Sequence, residues 1–274
     1  MGFAELILYF VLALYLVGSG GHICGILTRK ERPRALGGVV SGAGFALHGL
    51  SLGIMLAQTP SLALASGEFY LSLFSWSLLL VLFILWVKLK LSFLGLIATP
   101  LALVILLGSQ AVTAARLPLP PALAGLFFGL HIGTLFASMG LMAMACAAGI
   151  AYLKLEKRIK SKEKLTGVWA SLPSLDKLDA ANRLAVTVGF PLYTIGLVSG
   201  FLWAGITWKH FFSWDPKEVA AVFVWLLFAY LFHQRMALGW RGRKTAWLAI
   251  WVFGLCLASM LGINFFVKTH HSFA

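Results

Sequence analysis

Two sets of residues in this chain could do chemistry: one aromatic loop and seven histidines. Residues 203–218 read WAGITWKHFFSWDPKE, which puts Trp203, Trp208, Phe211, Phe212 and Trp214 within 12 positions. An interfacial aromatic belt accounts for one or two such residues. Five in one loop also describe a flat apolar platform with aromatic faces on which a planar ligand can stack. Lys209 and Lys217 could meet carboxylates of that ligand or sit as interfacial lysines. The closing DPKE has a local reading of its own: Asp215 as N-cap, Pro216 at the first helical position and Glu218 as the capping-box acid. A firmly started helix would hold the platform rigid, so the two roles are compatible.

The histidines are His22, His48, His131, His210, His233, His270 and His271. They show no HExxH, no Cys/His zinc spacing and no carboxylate cluster, which disfavours zinc and calcium. Imidazole pairs in an apolar, aromatic setting suit haem iron, which takes axial histidines. Cys24, Cys146 and Cys256 stand alone in apolar runs without a CxxC. They support neither a disulfide framework nor thiol chemistry, and are expected as buried small hydrophobes.

The elements that must position these groups are membrane helices. The chain has 274 residues, 60% hydrophobic and 11% charged; soluble domains are about a quarter charged. Abundant Leu, Phe and Trp exclude disorder. Eight runs of about 20 apolar residues cover roughly 4–27, 36–58, 69–87, 91–109, 122–153, 184–207, 217–237 and 245–267. The fifth is too long for a hydrocarbon core and must project beyond it. No basic n-region precedes the first run, where Glu5 sits instead, so a cleaved signal peptide is not expected.

The net charge of +13 has a topological cause. Eighteen of the 22 Lys+Arg fall in 28–35, 88–90, 154–183 and 234–244; the others are Arg116, Lys209, Lys217 and Lys268. The positive-inside rule puts the first group in the cytoplasm and both termini outside. Anionic lipid is the second use of these charges, and nucleic acid is not expected. The fold class is therefore all-α: a polytopic membrane bundle of eight helices with extracytoplasmic termini. A four-span region (1–120) precedes a functional core (121–274), and 154–183 reads as a charged helix end followed by a linker, the hinge between an N-terminal five-span part and a C-terminal three-span part. Small residues at Gly21/Gly25 in the first span and at Gly38, Gly42 and Ala46 in the second are expected to allow close backbone approach between helices. The topology sorts the histidines into an outer tier (His131, His210, His270, His271) and an inner tier (His22, His48, His233). Intramembrane histidines are costly without a partner, so each is a helix-packing hydrogen bonder or a ligand.

The 203–218 run is similar to the tryptophan-rich "WWD" signature of haem-handling membrane proteins, in the CcsA (ResC) branch of cytochrome c assembly, which reads WANxxWGxxWxWDPKE. Trp203, Ala204, Trp208, Trp214, Asp215, Pro216, Lys217 and Glu218 stand in register. The resemblance extends from about 122 to the end. It takes in FGLHIGTLFASMG around His131, Leu178–Asp179 with Arg183, GFPLYTIG before the platform, YLFHQR around His233 and the final HHSFA. Before residue 120 it is weaker, resting on GEFYLSLFSW. Gly205, Lys209 and Phe212 depart from the usual Asn, Gly and Trp, and His270 replaces an apolar residue.

The resemblance implies that His131 and His271 are axial ligands of an outer haem iron beside Trp203, Trp208, Trp214, Asp215 and Lys217. It implies that His233 is a ligand of an inner haem, paired with His48, with His22 or with a histidine of a companion CcsB (ResB)-type protein. Haem b would pass outward as substrate, and its vinyl groups would meet the thiols of a CxxCH apocytochrome c, as in a cytochrome c haem lyase or synthase. A thioredoxin-like thiol reductant would act indirectly, and the location would be the bacterial cytoplasmic membrane. The alternatives are a HemX-like, non-enzymatic regulator or scaffold of haem metabolism, and an unrelated transporter whose histidines relay protons.

Overall fold

A computed structural model describes residues 3–28, 30–60, 63, 66–89, 94–110, 128–166 and 168–266. Its order is α1 (Phe3–Leu27), α2 (Glu31–Gln58), α3 (Gly67–Leu89), α4 (Gly95–Ser109), a π-helical turn (Phe128–Gly133), α5 (Thr134–Lys160), the short α6 (Val168–Ser171), α7 (Leu175–Trp208), α8 (Pro216–Met236) and α9 (Arg243–Phe266). The described residues contain helices and no strand. Six helical stretches are long and apolar enough to cross a membrane: Leu6–Leu27, Glu31–Gln58, Glu68–Val87, Gly129–Lys160, Leu175–Ile206 and Pro216–Met236. The fourth expected span appears as the 15-residue α4, whose leading residues 91–93 lie outside the described residues. The eighth corresponds to α9, which is not among the six.

The helices form two compact units, residues 1–117 with 158–173, and 118–157 with 174–274. Most of the fifth span thus belongs with the C-terminal helices. Of 154–183, the expected helix end is present to Lys160 and a short non-helical stretch follows, but helix resumes in the short α6 and again at Leu175, and the expected division into five spans and three is not the one the units follow. Ser174 caps α7, its hydroxyl accepting from the Lys177 N–H at 3.5 Å. The charged first turns of α7 stay helical because their inner face is packed: Leu178 and Ala181 are fully buried, and Asn182 donates to the Ala145 carbonyl at 3.0 Å. At 34 residues α7 is about 50 Å long, well beyond a hydrocarbon core of about 30 Å.

In the first unit α1 and α2 pack backbone to backbone. A Cβ on Gly21 would lie 2.8 Å from the Gly37 Cα, and one on Gly37 would lie 2.8 Å from the Gly18 carbonyl oxygen. Gly21 and Gly25 make the close approach their small size allows, and the helix they meet is α2. On α2 the seam is one position away from the predicted one: Gly37, Ser41 and Gly44 meet α1, Gly42 faces open space, and Gly38 touches only the tip of Trp86. The i, i+4, i+7 series starting at 37 is an equally regular helical face, so spacing alone does not choose between them. Of the cysteines, Cys256 is buried and Cys146 half-buried as expected, but Cys24 is exposed on α1.

In the second unit Ser138 Oγ donates to the Gly189 carbonyl at 2.7 Å, joining α5 to α7 two residues before Pro191. A Cβ on Gly149 would lie 2.9 Å from the Ala246 carbonyl oxygen, which sets α5 directly against α9. Phe190, Tyr193, Trp225, Phe228 and Phe232 form an aromatic seam between α7 and α8. The Trp225 indole N–H donates to Thr194 Oγ1 at 3.0 Å.

Candidate functional site

His131 sits in the π-helical turn that precedes α5. Single π turns widen a helix by one residue and recur at functional sites. Here Gly129 and Gly133 flank the histidine, and the Thr134 hydroxyl donates back to the Leu130 carbonyl. The half-buried ring reaches α7, where its Nδ1 is 2.7 Å from the Gly196 carbonyl oxygen. A carbonyl only accepts, so Nδ1 carries the proton and Nε2 keeps its lone pair. This carbonyl–imidazole pair is the arrangement that orients metal-ligating histidines. A Cβ on Gly200 would overlap the same ring, so the four-residue step Gly196–Gly200 forms its seat.

One turn further along α7 the loop of interest begins, and its aromatic residues separate by role. Trp203 is 7% exposed and Ala204 4%. Trp203 is therefore part of the packed wall and not the open platform expected of it, because it falls on the inward face of α7 one turn after Gly200. Trp208 is the last residue of α7. Phe211 lies over Gly205, where a Cβ would come within 2.5 Å of its ring; the glycine in place of the usual Asn is what admits it. Phe212 packs edge-on against both Phe201 (5.7 Å between centroids) and Trp214 (5.1 Å). Trp214 is 78% exposed and presents the open indole face.

The loop is held by its acids. Asp215 is buried, and its Oδ1 accepts from the Lys217 N–H at 2.8 Å; Glu218 Oε2 accepts from the Ser213 N–H at 2.7 Å. The expected helix start is present, with Glu218 reaching two residues further back than a capping box does. Asp215, expected beside the ligand, is committed to the N-cap of α8 because its carboxylate satisfies that backbone donor. Lys217 is half-buried at the same helix start. Lys209 (φ 63°) and Trp214 (φ 60°) both adopt left-handed backbone, unusual for side chains of this size. Lys209 is the C-cap of α7, the place where glycine normally serves, and the resembling signature has glycine there.

At the other end of α8, His233 is exposed on the last turn, and its carbonyl accepts from the Ala237 N–H. Sequence reasoning missed what fixes this turn. Arg235, counted above among the topology-setting charges, is 5% exposed. Its Nη2 donates to Asp179 Oδ2 (2.9 Å) and to the Asp179 carbonyl (2.6 Å), and its Nη1 donates to Thr245 Oγ1 (2.7 Å). Asp179 Oδ1 also accepts from the Gly242 N–H at 2.8 Å. One guanidinium thus ties α7, α8 and α9 together two residues from His233. The signal available was the pairing of Asp179 in the signature stretch with the arginine of YLFHQR.

His48 belongs to the first unit and is 2% exposed. Its Nδ1 is 3.0 Å from the Tyr15 hydroxyl and its Nε2 2.8 Å from Ser72 Oγ. Both nitrogens are engaged across three helices, so the expectation of His48 as an inner ligand gives way to the packing reading. His22, also buried, rests its ring on Gly95. His210 is exposed beside the platform. His270 and His271 lie outside the described residues, as does Arg116. Among the described residues no three His, Cys, Asp or Glu side chains come together as a metal cluster.

Comparison with known proteins places this geometry. The cytochrome C assembly protein family matches residues 66–271, an interval containing His131, the 203–218 loop, the Asp179–Arg235 clamp and His233. The chain is 30% identical over 267 residues to the cytochrome c biogenesis protein CcsA of Chlorella vulgaris, covering 85% of each chain. It is 32% identical over 218 residues to CcsA of Guillardia theta, covering 73% of this chain and 72% of the relative. A shorter stretch of 105 residues, 38% of this chain and 30% of the relative, is 42% identical to CcsA of Synechococcus sp. (strain JA-2-3B'a(2-13)). With three quarters of its length matched and relatives at this identity, the chain belongs to the cytochrome C assembly protein family, among the CcsA cytochrome c biogenesis proteins.

Proposed function

We propose that this chain takes haem b as a substrate in the maturation of c-type cytochromes and presents it on the extracytoplasmic face for attachment to an apocytochrome c. The observation that carries the reading is His131. Its Nδ1 donates to the Gly196 carbonyl, the kind of contact that orients metal-ligating imidazoles, and its seat on α7 is one turn from the loop that ends in the exposed Trp214. His271 is the second axial ligand in this scheme. Trp214 and Trp208 give the porphyrin its stacking faces, Trp203 backs them from within, and Lys217 or Lys209 meets the propionates.

The reaction needs no general base on this chain. Each cysteine S–H adds across one vinyl group, sulfur bonding to the inner carbon and hydrogen to the terminal one, with no net change in electrons. The protein contributes proximity and orientation, as part of a haem lyase with a CcsB (ResB)-type membrane partner; a thioredoxin-like reductant would keep the thiols reduced. His233, exposed and held by the Arg235 clamp, is the inner ligand, completed by a histidine of that partner. The eight spans run with both termini outside, in the bacterial cytoplasmic membrane, on the strength of the asymmetric distribution of Lys and Arg.

The test is the absorption spectrum of the purified protein with its CcsB partner, together with cytochrome c yield in cells lacking other maturation systems. His131→Ala should lower bound haem and cytochrome yield about 10–100-fold, and added imidazole should restore both. Unchanged haem in His131→Ala removes the outer-ligand assignment. Normal haem binding without thioether formation, even with the partner present, selects the HemX-like scaffold.

A further inference from the structure

The first unit contains a cavity of about 150 Å³ that the haem reading does not use, lined by residues of α1, α2, α3 and α4. Its polar lining forms a ladder. Arg34 and the exposed Glu31 lie in the first turn of α2, at the open end next to the α1–α2 loop, and the buried Ser41 lies two turns further on, with His22 of α1 and the buried Thr99 of α4 also in the lining. Ser41 is 1% exposed and Thr99 is fully buried, and neither hydroxyl has a hydrogen-bond partner among the described residues. An unpaired buried hydroxyl costs about 1–3 kcal/mol, so two in one cavity call for an acceptor to be supplied. The remaining walls are apolar, with Leu82, Phe83 and Trp86 on α3.

The chemistry of the occupant follows from this ladder. Guanidinium, imidazole and two hydroxyls are all able to donate, so the ligand must be rich in acceptors. Arg34 and Ser41 are seven residues apart, about 10 Å along α2, so the acceptors must lie at two depths. The cavity is smaller than the roughly 300–1,000 Å³ of pockets that enclose a whole drug-sized ligand, so it takes only the polar part of a larger molecule whose remainder lies outside. Glu31, with its side chain 87% exposed, flanks Arg34 at 3.8 Å from the water side, while the Arg34 side chain is only 13% exposed. The mouth adjoins the 28–35 segment with its four Lys and Arg. Basic pockets between transmembrane helices hold anionic lipid head groups. A glycerophospholipid carries a phosphate and, several ångströms deeper, ester carbonyls, followed by acyl chains that suit Phe83 and Trp86.

We propose that this cavity is a specific site for one anionic glycerophospholipid, its phosphate at Arg34 and His22 and its ester carbonyls at Ser41 and Thr99. The site is independent of the haem reading, and haem content does not report on it. The full chain, purified in neutral detergent, is examined by native mass spectrometry and thermal melting with phosphatidylglycerol, phosphatidylcholine or inorganic phosphate. Wild type should retain one phosphatidylglycerol and melt higher with it. Arg34→Gln should weaken retention about tenfold. The Ser41→Ala/Thr99→Val double variant, which removes only unpaired hydroxyls and so should fold, should lose most of the lipid-induced shift. Equal retention by the double variant, equal binding of phosphatidylcholine, or displacement by millimolar inorganic phosphate overturns the proposal. So does a double variant that melts above wild type by the same margin with and without lipid, since that identifies an unliganded void.

Discussion

His48 and His131 are both histidines in apolar helices, and they differ in what their nitrogens do. In the first unit the His48 imidazole is saturated by Tyr15 and Ser72 and almost wholly buried. In the second unit His131 is half-buried, with Nδ1 donating to a backbone carbonyl of the neighbouring helix. Intramembrane position is the same cost for both; depth of burial and the kind of partner, two side-chain hydroxyls against a backbone carbonyl, set them apart.

The comparison can be broken in four ways, beginning with the largest effect. Arg235→Ala leaves the Asp179 carboxylate without its guanidinium partner and should destabilise the second unit by about 3–5 kcal/mol, read as a large drop in melting temperature; a drop below about 1 kcal/mol would mean the clamp is dispensable. His48→Leu should cost about 2–3 kcal/mol, because the Tyr15 and Ser72 hydroxyls lose their partner, with the haem spectrum unchanged. A changed spectrum would return His48 to the ligand set. Gly200→Ala crowds the His131 ring from its seat and should lower haem affinity about tenfold, the usual effect of disturbing the group that orients a ligand, with little change in melting. Lys209→Gly relieves a left-handed C-cap and should stabilise the protein by about 1 kcal/mol; a fall in haem affinity alongside it would assign the propionate contact to Lys209 and not to Lys217.

Much of this was legible from sequence where the determinants are local. The start of α8 is written in four consecutive residues, and Asp215 and Glu218 both act on backbone N–H groups within five positions. Apolar runs located the helices for the same reason. What depended on partners far along the chain was not legible. Arg235 pairs with a residue 56 positions away, so its charge looked like any other in a basic loop. The glycine seam of α2 was misplaced by one residue because two adjacent faces offer similar small side chains. Trp203 and Trp214 look alike in a motif, yet the inward face of a helix and a loop with positive φ give them opposite exposures. The π-helical turn has no sequence signature beyond its flanking glycines.

That turn also governs where the imidazole points. An α-helix advances about 100° per residue, and a π turn accommodates one residue more than its α counterpart. Deleting a single residue beside His131 would restore regular winding and swing the side chain roughly a quarter of a circle off the Gly196 carbonyl, leaving every other helix of the bundle in register. The imidazole's aim is thus encoded as a counting error in one helix, adjustable by insertion or deletion without altering any other side chain.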